Sequence, residues 1–459
     1  MAIRIKNRFF VFCICFMVFR ADIYADTLSA KRLSFEDFYG IIKQHHPLVQ
    51  QLRIAIELAK AEKAKANAAF IPKFGLQNDE KQLNQPYYNL LNTSVKAPTW
   101  YGIDLKVQYE KNLGKYVNPE NNTPSEGLLT AGVSVPLMEG LIQNEARIRT
   151  LQAKIGVLNA ENELILMLNQ IMTDATNSYW EWSYNYYNWK LSEKLYKRAL
   201  DRHKGIVTMY IKGDRPASDT LESFTFVQDR QILLLEAERK YIQAQWTLNT
   251  FFWLNNRPLP VTDPIIPVTV NIVSSKSVNI DANIYQHPFI RYYDYKLKQL
   301  NLDLKLKRNK ILPDVRIDYN FLSKGFSGTW SNNNYKWRIS VSFPLWIQKE
   351  LADMRITRYK IQQTQLGRDF KQIELNNKLQ NYKTQLELLQ AQNQNLDKAV
   401  ENFRTLLKQE EIKFQMGESS IFLIISRENK LFEMEQKQIK IQTEYYKYEN
   451  LLKALQMQF

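Results

Sequence analysis

The sequence predicts an α+β membrane protein made of a duplicated unit, each unit a strand pair followed by a long helical hairpin. Three observations carry that prediction: landmarks that recur in both halves, two very long stretches without helix breakers, and alternating segments just ahead of them. His46-Pro47 recurs at His287-Pro288 and Ile71-Pro72 at Leu312-Pro313, both displaced by 241 positions. An apolar-Pro-Leu segment recurs at Val135-Pro136-Leu137 and Phe343-Pro344-Leu345, and an aromatic-x-x-Gly at Tyr210 to Gly213 and Phe414 to Gly417. Four landmarks in one order mark an internal duplication, which calls for a pseudo-symmetric architecture.

The helices follow from punctuation. Between Pro136 and Pro258 the only proline is Pro216, and none follows Pro344; residues 141–212 and 346–416 hold only Gly156, Gly205 and Gly367. Each stretch reads as one helix of about 70 residues, roughly 105 Å long at 1.5 Å per residue. Each then meets a glycine, at 213 or 417, and a second helix runs back toward Phe252 or the C terminus. From strand-ending proline to turn glycine is 77 residues in one copy and 73 in the other, a difference of one helical turn. Rods of this length depend on neighbours packed alongside.

The strands follow from period two. Val315, Ile317, Tyr319 and Phe321 alternate with charged or polar residues, as do Trp337, Ile339, Val341 and Phe343. In the first copy Ile103, Leu105, Val107 and Tyr109 alternate in the same way, then Leu129, Ala131, Val133 and Val135. A lone strand of this kind usually half-covers a soluble core. Here there are four, with Trp100, Tyr101, Tyr109, Trp330 and Trp337 as membrane-interface aromatics, and that combination is the signature of a barrel in an outer membrane. Four strands cannot close a barrel and lipid tolerates no open edge, so several chains must contribute to one wall. The first copy also carries an insertion near 77–99 that the second lacks, of no assignable conformation.

Residues 1–25 read as a signal peptide, with Arg4, Lys6 and Arg8 ahead of an apolar stretch and Ile23-Tyr24-Ala25 before the cut. Both cysteines, Cys13 and Cys15, lie in it without the small residues an acylation site needs, so the mature chain has no thiol for disulfides or metal. Its removal takes four basic residues and Asp22, lowering the formal charge from +15 to +12. The excess is spread along helices with acids between, which reads as a solvated surface and not a nucleic-acid site. Residues 26–255 form the first repeat, with its strand pair at about 100–137; 256–285 is a Pro-rich linker; 286–459 is the second repeat, with its strand pair at about 313–345.

These segments resemble the TolC-type outer-membrane efflux proteins over nearly all of the mature chain. The resemblance rests on Leu33 to Tyr39 with His46-Pro47 downstream, the Ala- and Lys-rich Lys60 to Ala69 running into Ile71-Pro72, and Ser134 to Leu137. It rests also on Tyr210 to Gly213 followed by Asp219 to Leu221, and on the second-half counterparts. It implies a homotrimer in which each protomer gives four strands to a twelve-stranded β-barrel, continued by a periplasmic α-helical barrel. It further implies passive conduction of substrates in a tripartite efflux or type I secretion system, with a periplasmic adaptor and an inner-membrane pump as partners and outer-membrane lipid around the barrel. The alternative is a non-conducting coiled-coil structural protein or a periplasmic adaptor.

Function is expected to concentrate at the turns. Tyr210, Gly213, Phe414 and Gly417 form the tunnel-tip turns, and the resemblance implies that they contact the adaptor. Asp214, Arg215, Asp219, Glu222 and Glu418 are candidate entrance charges, since symmetry would multiply any one of them at a constriction. The family's acid six residues past the glycine fits Asp219, but Leu423 stands there in the second copy. The ring-rich run of Tyr179, Trp180, Trp182, Tyr184, Tyr186, Tyr187 and Trp189 reads as packing between helices. No enzymatic motif, metal site or cofactor site is present, and His45-His46 beside Pro47 reads as a helix boundary.

Overall fold

The computed structural model describes residues 32–141, 144–254, 257–258, 265–268, 284–326 and 330–456. The leader at 1–25, with both cysteines, and most of 256–285 lie outside the described residues. Strand β1 (Arg32–Leu33) is followed by helices α1 (Phe35–His45) and α2 (Pro47–Asn67), then strands β2 (Lys73–Leu83), β3 (Gln85–Pro98), β4 (Asp104–Leu113) and β5 (Leu128–Pro136). Helices α3 (Glu145–Ile211) and α4 (Ala217–Asn249) come next, then the short strands β6 (Trp253–Leu254), β7 (Arg257–Pro258) and β8 (Ile266–Pro267). The second half runs α5 (Pro288–Asn309), β9 (Asp314–Lys324), β10 (Tyr335–Ser342), α6 (Gln348–Gln415) and α7 (Ile421–Leu455).

The long helices match between halves: α3 has 67 residues and α6 has 68, each about 100 Å long. Helix α3 packs on α2 above and α4 below, α6 packs on α5 and α7 in the same way, and α3 joins the halves through α5 and α7. Each level of the shaft therefore holds four helices. The His-Pro landmarks open α2 and α5. Proline fits the first helical position because its missing N–H would have had no partner there, and the histidine before it caps: Nδ1 of His46 accepts from the Leu48 N–H at 3.3 Å, and Nδ1 of His287 from the Phe289 N–H at 3.2 Å.

The sheet corrects the expected strand count. Six strands, not four, pair in the order β10-β9-β5-β4-β3-β2, all antiparallel. The segment near 77–99 supplies much of β2 and β3, which turn on Asn84 with φ 45. Strand β2 follows Ile71-Pro72 just as β9 follows Leu312-Pro313, so the true counterparts of β9 and β10 are β2 and β5, and β3–β4 is the added pair. A twelve-stranded barrel from three chains would need four strands each; this chain brings six.

The aromatic run of α3 forms the core where the shaft thickens. Trp182 and Tyr179 are fully buried among Phe38, Ile42, Leu248 and Phe252, and Trp180 stacks on Tyr446 at 5.5 Å. The hydroxyls reach backbone: Tyr179 donates to the Leu33 carbonyl at 2.8 Å and Tyr187 to that of Pro267 at 2.9 Å. These two bonds tie α3 to the parallel pair β1–β8, as a buried phenol needs a partner.

Burial, with Lys371 opposite, pushes the His287 imidazole down to about 4. A cap that accepts through Nδ1 needs the neutral ring, so its stabilisation is complete above about 6.5 and is lost as pH falls toward 4, a span worth about 3 kcal/mol. The variant His287→Asn keeps a capping oxygen. Its thermal midpoint, followed by helical circular dichroism, should fall much less between pH 6.5 and pH 4 than that of the wild type.

Candidate functional site

The sheet has two chemically distinct faces. On one, Phe74, Val95, Val107, Ala131, Phe321 and Tyr335 form a single row across all six strands, and Ala97, Leu105, Val133, Tyr319 and Trp337 form the next. Most of these side chains are exposed, Phe74 at 69%. On the other face the corresponding positions are Asp104, Ser134, Asp318 and Arg338, with Gln108 and Thr130 beyond. An apolar surface of six strands facing outward is far larger than a water-soluble monomer carries. Strands β2 and β10 are the edges, unpaired on their outer sides among the described residues.

The predicted aromatics lie at both ends of this sheet. Trp100 and Tyr101 sit in the β3–β4 turn beside the helices, Trp100 against Phe70 at 5.3 Å with the Arg147 guanidinium 5.5 Å from its ring. Toward the far end, Tyr109 stacks on Phe326 at 4.9 Å and donates to the Glu126 carbonyl at 3.0 Å. Trp330 is exposed in the β9–β10 connection, and Trp337 is the third residue of β10 after that connection.

At the opposite pole the two tips are built alike. Gly213 and Gly417 both have φ +81; the following N–H, of Asp214 or Glu418, bonds at 2.9 Å to the carbonyl five residues back, Met209 or Lys413. This is the left-handed helix ending that glycine reaches at least cost. A Cβ at either glycine would meet open space, so the requirement is purely conformational. Arg215 joins the tips: its guanidinium lies 4.5 Å from the Phe414 ring and 3.8 Å from Asp219. Tyr210, Asp214, Glu222 and Glu418 are exposed. Of the candidate charges, the structure thus brings together Arg215 and Asp219 and leaves the others in solvent.

Sequence reasoning missed two sites. At the second tip, Glu410 accepts from Ser419 at 2.6 Å and faces Arg427 at 3.7 Å. About 16 Å above the first tip, Arg202 of α3 forks onto Glu428 of α7 with both N–O distances 2.9 Å, and Glu428 is 1% exposed. Beside it Arg230 of α4 donates to Asn429. No local pattern marks the two pairs above the tip, because their partners are about 200 residues apart in the chain. Among the described residues there is no metal-binding cluster and no helix long and apolar enough to cross a membrane.

Known structures share this fold. The chain superposes on the Campylobacter jejuni CmeC outer membrane channel with TM-score 0.67 at 13% identity, over 92% of this chain and 84% of that one. The outer membrane protein VceC of Vibrio cholerae gives TM-score 0.66 at 14% identity, over 92% and 95%. The open state of the Neisseria gonorrhoeae MtrE outer membrane channel gives 0.65 at 14%, over 92% and 88%. The fold is that of a TolC-type outer-membrane channel. No family model matches the sequence, and no curated protein matches it at the sequence level.

Within this TolC-type fold, further unpartnered surfaces run down the shaft. On α4, Leu221, Phe224, Ile232, Leu235, Ile242 and Trp246 are exposed, and on α6, Ile356, Tyr359, Leu366, Phe370 and Ile373. The α6 set recurs at the roughly 3.5-residue spacing of a coiled-coil seam, and the α4 set at about 3.6 residues, the period of a straight helix.

Gly213→Ala and Gly417→Ala should each cost about 1–2 kcal/mol despite the open space, because the loss is backbone strain. Glu428→Ala, which strands Arg202, should cost about 3 kcal/mol, and Arg202→Met with Glu428→Leu should recover most of it. Thermal melts of the four variants in detergent check both.

Proposed function

We propose that this chain is the outer-membrane channel of a tripartite efflux or type I secretion system. Three copies conduct substrates passively from the periplasmic side to the exterior, and a periplasmic adaptor and an inner-membrane pump meet the tips at Tyr210, Gly213, Phe414 and Gly417. The observation that carries this reading is the six-stranded sheet, apolar on one face and polar on the other, standing on a hundred-ångström shaft with both sheet edges open. An adaptor or a coiled-coil structural protein gives no reason for such a sheet.

The duplication supports a specific seam. Within the chain the last strand of repeat one, β5, pairs with the first of repeat two, β9, with Ser134 opposite Asp318. The equivalent junction joins β10, the last strand of repeat two, to β2 of the next copy. Transferring the register by the landmark offsets sets Ser342 opposite Gln77 and Phe343 opposite Leu76, with apolar faces still aligned. The helices support the same arrangement: α3 contacts α5 and α7 within the chain, whereas the equivalent faces of α6 and α4 carry the exposed apolar stripes and that of α2 exposes Ile54 and Leu58. Three sheets then give eighteen strands.

Size favours eighteen over twelve. With strands about 4.8 Å apart and tilted about 40°, eighteen strands make a wall of radius about 18 Å and twelve a wall of about 12 Å. Twelve helices spaced about 9–10 Å apart make a ring of about 17–19 Å. The wider wall meets the helical ring without a step.

Two experiments test the reading. Membrane fractionation should recover a heat-modifiable trimer in the outer membrane that forms channels in planar bilayers; recovery only as a soluble periplasmic protein without conductance would overturn it. Ser342→Cys with Gln77→Cys should yield covalent trimers under oxidation, whereas Ser342→Cys with Lys81→Cys should not. Preferential linkage of the second pair would contradict the seam.

A further inference from the structure

The polar face of the sheet has an uneven charge distribution. The register aligns Lys73 with Lys96, Lys96 with Lys106, Lys106 with Gly132, Gly132 with Asn320, and Asn320 with Lys336. Four lysines therefore stand in one row that crosses all six strands, interrupted only by two uncharged positions. The row above it, from Gly75 through Gln108 to Leu322, carries no charge.

The row below holds two acids, Asp104 and Asp318, and one base, Arg338. Asp104 is bonded by Lys96 at 2.9 Å and lies 3.8 Å from Arg316, and Asp318 stands directly opposite Arg338. Lys73, Lys106 and Lys336 have no carboxylate within ion-pair distance among the described residues. Over the whole face, eight lysines and arginines stand against five aspartates and glutamates, a net +3 per chain. The middle of the row borders an open groove of about 360 Å³.

We propose that this lysine row is an anion-selecting belt and that the cargo of the channel is anionic. The inference rests on the reading above, in which the polar face lines the conduit; there, three copies would place nine unmatched ammonium groups around one level of the wall. Like charges held on a low-dielectric wall raise the local concentration of counter-ions and repel cations. The lumen is wide, so the effect must be graded by salt. At about 0.01 M the Debye length is about 30 Å and reaches the axis; at about 1 M it is about 3 Å and the centre is screened.

The test is the reversal potential of the purified full-length channel in planar bilayers under a KCl gradient, at high and low salt. Chloride should be preferred over potassium, more strongly at low than at high salt, and a preference should persist when gluconate replaces chloride. The triple variant Lys73→Gln, Lys106→Gln, Lys336→Gln should lose most of the low-salt preference, and the corresponding triple Glu variant should favour potassium, while both remain heat-modifiable trimers. A cation-selective wild type, or anion preference that survives both triple variants, would overturn the belt. Absence of any conductance would overturn the channel reading and this inference with it.

Discussion

In hydrocarbon, a backbone N–H or C=O with no partner has no water to turn to, and each such group costs several kcal/mol. In the proposed channel, that constraint governs the sheet end of the molecule. A six-stranded sheet with an outward apolar face has two edges, along β2 and β10, and neither can be left open in lipid. The alternating pattern along each strand, the open edges and the stripes along α4 and α6 all follow if the chain is one segment of a closed ring. Taken alone, the chain exposes apolar surface on both sheet and shaft; in the proposed ring the same surface would become lipid contact and helix seam.

The duplication lowers the sequence cost of closing that ring. Because the halves are equivalent, the contacts between repeats inside one chain would serve as templates for contacts between chains, and one set of interface chemistry would serve six junctions in the proposed trimer. The match is imperfect where the halves have diverged. The first repeat carries the added β3–β4 pair, and α4 starts at Pro216 without a side-chain cap, whereas α7 is capped by Ser420. Such differences give the two tips distinct local chemistry, Arg215 with Asp219 at one and Glu410 with Arg427 at the other.

Most of the shaft was legible in the sequence because proline and glycine mark its ends sharply. The glycines at 213 and 417, the histidine boundaries at 46 and 287 and the packing role of the Tyr179 to Trp189 run all rest on local patterns, and the structure shows the geometry those patterns require. The sheet was only partly legible. Strand β2 begins with an apolar alternation, Phe74 and Leu76, which then gives way to Asn78 and Glu80, so its period-two signal fades after two residues. The stronger clue was positional: Ile71-Pro72 precedes β2 just as Leu312-Pro313 precedes β9. Arg202 with Glu428, and the single row formed by Lys73, Lys96, Lys106 and Lys336, were invisible for another reason. Pairing between distant segments creates them, and no window along the chain contains both partners.

A density map of the detergent-purified assembly that resolves individual strands decides whether the sheets close into one ring. The expected map shows a closed wall of eighteen strands above twelve helices, with β10 of each copy hydrogen-bonded to β2 of the next. A wall of twelve strands with β2 and β3 displaced from it, or single particles with the sheet left open, would contradict it.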